Sequence, residues 1–103
     1  MNNWRELKEL IILGKSYKIK LVPLDKLPDG TIAHLGQNRK EIWIWKKIKS
    51  DEDYQEILLH EILHSLLDVI CQSSNNIENS EGFVSLLSQQ LYDTLKRNNL
   101  LNT

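Results

Sequence analysis

His60, Glu61 and His64, in the run HEILH, are the residues of this chain whose types and spacing could do chemistry. On an α-helix, residues i and i+4 lie one turn apart on the same face, so two imidazoles at that spacing can reach a single metal ion. Zn²⁺ is the ion the set suits. Glu61 would stand beside it, where a carboxylate takes a proton from a zinc-polarised water and passes it to a leaving group. In a shuffled chain of the same composition this arrangement arises roughly once in two hundred. Its surroundings must therefore separate a site from a pair of satisfied core histidines.

A hydrolytic zinc site keeps three protein ligands and one open position, so a third ligand has to be found. Glu81, 17 positions beyond His64, is preferred; Asp68, one turn past His64 on the same stripe, and Glu78, in the polar stretch QSSNNIENS, are the alternatives. Asp68 is better suited to accept a hydrogen bond from a histidine's other ring nitrogen and so orient it. His34 and Tyr92 are of types that can polarise a carbonyl or stabilise an oxyanion, although packing is the preferred reading of both.

The elements that must position these residues fall into a β half and an α half. ELIIL and SYKIKLV flank Gly14-Lys15, and Tyr17, Ile19 and Leu21 alternate with Ser16, Lys18 and Lys20 at strand period, which predicts a hairpin. Beyond PLDKLPDG, the segments TIAHLG and EIWIWKKI predict two more strands around QNRK. EIWIW, apolar on both faces, is expected well inside the sheet or against a partner, with Trp4, Trp43 and Trp45 filling the sheet's faces and Lys46, Lys47 and Lys49 forming a solvated strand end.

From Ser50 the pattern becomes helical, with Asp51, Glu52 and Asp53 at the positive end of the dipole. Leu58, Leu59, Ile62, Leu63, Leu66, Leu67, Val69 and Ile70 sweep about half the helix, which predicts a largely buried element whose remaining stripe carries His60, Glu61, His64 and Asp68. A second helix is predicted from about Ser80 to Asn98, with Phe83, Val84, Leu87, Leu91 and Leu95 on its core face and Glu81 in its first turn.

The outer bounds are set by composition. One domain, 1–103, suits 103 residues with 41% hydrophobic and 26% charged content. A net charge of −1 gives no electrostatic footprint for nucleic acid. Cys71, the only cysteine, excludes an internal disulfide or a thiolate cluster and suits a reduced compartment. The start, MNNWRELKELIILGK, lacks the pattern of a secretory signal, and no apolar run approaches membrane-spanning length, so the expectation is a cytoplasmic protein without membrane or nucleic-acid partners.

HEILHSLLD followed by EGFVSLLSQQLYDTL, together with GKSYKIKLV and EIWIW upstream, resembles the small phage- and prophage-encoded zinc metallopeptidase-like proteins related to the ImmA/IrrE group, over roughly residues 12 to 97. The resemblance implies an α+β, minimal zincin-like fold: a small antiparallel sheet of three to four strands packed on the HExxH helix and a C-terminal helix. It also implies that His60, His64 and Glu81 bind zinc, that Glu61 is the general base, and that the substrate is a protein or peptide, such as a phage or host regulatory protein. The chain is shorter than the repressor-cleaving members of that group, and Gly82 sits beside the expected ligand. A non-catalytic, metal-stabilised interaction or inhibitor protein on the same scaffold is the rival reading, and a zinc hydrolase of a non-peptide bond is a third.

Overall fold

Two local hairpins build the sheet. The computed structural model describes residues 4–12, 14–36, 40–73 and 80–98. β1 (Glu9–Ile12) and β2 (Lys15–Val22) pair antiparallel with Ile12 opposite Lys15, and Gly14, at φ 78°, supplies the left-handed residue that so tight a reversal needs. β3 (Ala33–Gly36) and β4 (Glu41–Trp45) form the second antiparallel pair. Both hairpins lie where the alternation of apolar and polar residues puts them.

The sheet order is β1-β2-β4-β3, and β2 runs parallel to β4. The sheet is therefore mixed, which corrects the all-antiparallel expectation. Residues 23–32, with a short 3₁₀ turn at Leu24–Lys26 and Gly30 at φ 78°, set β3 down beyond the position next to β2. The gap is one strand wide, about 4.8 Å on each side. β4 returns into it, and Ile19 and Leu21 then stand beside Ile42 and Ile44.

One face of the sheet carries the core. Ile12, Tyr17, Ile19, Ile42 and Ile44 pack with Ile48, Tyr54 and Leu58, and Leu10, Ala33, Leu35, Ile57, Ile62 and Leu66 close around them. α1 (Asp51–Ser73) covers this face, starting from Ser50, whose Oγ accepts from the Asp53 amide at 3.0 Å. α2 (Glu81–Arg97) starts in the same way, the Phe83 amide donating to Ser80 Oγ at 3.2 Å.

Tyr92 Oη donates to Gln55 at 2.9 Å and Lys96 pairs with Glu52 at 2.7 Å, so α2 runs antiparallel along the first half of α1. For that reason Ile62, Leu63, Leu66 and Leu67 are only half-buried, less than the apolar sweep of α1 predicts; the side chains of Val69 and Ile70 lie outside the described residues. In α2, Val84, Ser88 and Tyr92 are buried, whereas Phe83, expected on the core face, is exposed. Tyr92 is thus a packing residue with a satisfied hydroxyl. No helix among the described residues is long and apolar enough to cross a membrane.

The N-terminal turn, Trp4–Glu6, is held to the start of α1 by Arg5. Its Nε donates to Asp51 at 2.7 Å, its Nη2 to the Ile48 carbonyl at 2.5 Å, and its guanidinium lies 5.1 Å from the centre of the Tyr54 ring. Asp51 is largely exposed, so the carbonyl and ring contacts carry most of the effect. Arg5→Ala is expected to cost about 1–3 kcal/mol, read as a lower urea midpoint with an unchanged slope.

Candidate metal centre

The helical spacing of HEILH does what the sequence requires of it: the rings of His60 and His64 stand 4.8 Å apart, nearly edge to face, on one side of α1. Glu81, in the first turn of α2, reaches both. Its Oε1 lies 2.5 Å from His64 Nε2 and its Oε2 lies 3.3 Å from His60 Nε2. One ligand atom from each of the three residues falls within 4.8 Å of the others. Ligands on one tetrahedral zinc would be about 3.3 Å apart, so small side-chain adjustments suffice to fit one. Two imidazole nitrogens and a carboxylate oxygen also form a donor set that zinc accepts.

Of the alternative ligands, Asp68 is half-buried on α1 and is not part of this cluster, and Glu78 lies outside the described residues. Both imidazoles are mostly buried, whereas the Glu81 side chain is 78% exposed and owes its position to the start of α2.

Glu61 is buried, with Oε2 3.9 Å from His60 Nε2. Burial pushes its carboxyl up to about 7, against the pull of His64, and the charge of Glu81 adds to the rise. A carboxyl poised near neutrality is suited to taking up and releasing a proton. Glu81 moves the other way: what burial it has raises it, but His64 and His60 together outweigh that and hold it below the ordinary carboxylate range.

The cluster opens into a cleft of about 980 Å³ between α1, α2 and β3, the strand at the sheet edge. Residues 30–35 line one side, so His34 is at the cleft, although its register opposite Trp43 places it on the other face of the sheet from Ala33 and Leu35. Lys47 and Lys49 are exposed as expected, but they also line this cleft. Ser85, Ser88 and Gln89 form the α2 wall, and Asp53 and Glu56 extend the α1 floor. These cleft residues were not legible as site residues, except that Glu56 precedes His60 by the same four positions that join His60 to His64.

Gly82 follows Glu81 directly, and a Cβ there would meet nothing within 4 Å. No close approach requires glycine at this position. Gly82→Ala is expected to stabilise the metal-free protein by about 0.5 kcal/mol through the lower entropy of the unfolded chain, seen as a small rise in melting temperature.

Comparison with protein-family models, with curated proteins and with solved structures finds no match to this chain.

Proposed function

We propose that this protein is a zinc-dependent peptidase of the HExxH type, with His60, His64 and Glu81 as metal ligands and Glu61 as general base. The family expected from the sequence, the ImmA/IrrE-related phage proteins, and with it a cytoplasmic regulatory protein as substrate, belong to the same proposal. The observation that carries it is the convergence of two α1 imidazoles and one α2 carboxylate beside the buried Glu61, within a cleft bounded by an edge strand. Zinc bound there would supply Lewis acidity to a scissile carbonyl and acidity to a water molecule.

The chain's own residues supply the rest. An extended peptide laid along the outer edge of β3, which pairs with no second strand among the described residues, would be held by main-chain hydrogen bonds, with its scissile bond at the histidine cluster. Glu61 takes a proton from the attacking water as the oxygen bonds to the carbonyl carbon. It then delivers that proton to the amide nitrogen as the C–N bond breaks, leaving a carboxylic acid and an amine, and the acid's remaining proton passes to the amine to give a carboxylate and an ammonium group.

Elemental analysis tests the proposal, on protein purified without a histidine tag or added metal, beside the His60→Ala/His64→Ala double variant. About one zinc per chain, missing from the variant, is the expected result. No metal in either protein, even after zinc is offered at neutral pH, would reduce HEILH to a core helix.

A further inference from the structure

Of the charged side chains that line the cleft and that peptide hydrolysis leaves without a role, Glu56 is the one that is half-buried. Glu56 lies one turn before His60 on the floor of the cleft, at a spacing that puts Cβ atoms about 6 Å apart. It is half-buried, and among the described residues no ion pair or side-chain hydrogen bond engages it. A carboxylate so placed loses hydration without a compensating partner, and a cation entering the cleft would provide one.

The surrounding charges decide the sign of that preference. A divalent ion on the ligand cluster would be balanced by Glu81 and Glu61, leaving Glu56 as the uncompensated charge closest to it along α1. Asp53, one turn further out on the same floor, is negative but exposed, and the α2 wall beyond Glu81 is neutral. Lys47 and Lys49 oppose them, but both are exposed, where salt screens them more than it screens Glu56.

We infer that Glu56 sets substrate specificity by receiving a cationic group next to the scissile bond, either a lysine or arginine side chain or a free amino terminus. The inference rests on the peptidase reading for the bond that is cut, and its test separates the two. Binding is measured by fluorescence anisotropy on the zinc-loaded Glu61→Gln variant, with peptides carrying a central lysine, alanine or glutamate, each with a free or an acetylated amino terminus. Cleavage of the same peptides is measured with the unaltered protein.

The lysine peptide is expected to bind about tenfold more tightly than the glutamate peptide at low salt. Adding Glu56→Gln should remove the difference and Glu56→Lys should reverse it. A preference that follows the free amino terminus, and is lost in the same variants, identifies the cation as the terminal ammonium. No charge preference, or one that survives Glu56→Gln, overturns the inference. Charge-selective binding without cleavage by the unaltered protein would keep Glu56 in its role and remove the peptidase reading. Cleavage indifferent to charge would do the reverse, and absence of both binding and cleavage would overturn the two together.

Discussion

Glu61→Gln is expected to lower the rate of peptide cleavage about a thousandfold while zinc content stays at about one per chain. The amide keeps the shape of the side chain but cannot accept the water's proton, so the chemical step is lost and the ligand cluster is left intact. Glu61 is buried and close to His60, and the uncharged amide relieves the desolvation that raises its carboxyl to about 7, so the variant should fold at least as well as the parent. Single-turnover cleavage with metal analysis on the same sample checks both halves. Undiminished cleavage by the Gln variant would remove Glu61 from the role of base, whereas a full effect of that variant in a phage or host assay would remove the peptidase reading and favour an interaction protein on this scaffold.

Glu81→Ala should weaken zinc binding by at least about a hundredfold, because a lost ligand exceeds the tenfold to hundredfold effect typical of a lost orienting partner. The side chain is largely exposed, so its removal opens no cavity, and helix content should be preserved by the Ser80 cap. Competition with a chromogenic chelator gives the affinity. An unchanged value would transfer the third ligand to Asp68 or to Glu78.

The parts of this molecule legible in the sequence are those fixed by short-range geometry. Alternation in SYKIKLV and EIWIW locates strands, Ser50 and Ser80 mark helix starts, and the four-residue spacing of His60 and His64 fixes a shared face without reference to the rest of the chain. Glu81 was recoverable because a carboxylate in the first turn of a following helix can swing back over the preceding one.

What escaped depends on long-range choices. Alternation says that β2 and β4 each have a buried face but not that they are neighbours, so the parallel pairing was invisible. Phe83 has the more apolar side chain, yet Ser88 is the one buried while Phe83 faces solvent, because the rotation of α2 is set by Tyr92 and Glu81 at its contacts with α1. Glu56 shares the four-residue spacing with His60, but that spacing acquires meaning only once a cleft is known to exist above it.

Among the described residues, β3 has one strand neighbour. Its ladder runs to β4 alone, over four residue pairs, whereas β4 is paired on both sides and contains Ile42 and Ile44, which are completely buried. In terms of local opening, the wall of the cleft can therefore detach at a lower free energy than the sheet interior, and its amides should exchange with solvent well before those of β4. A peptide added along the outer edge would give β3 a second neighbour. Occupancy of the cleft and protection of those amides would then be one equilibrium observed in two ways.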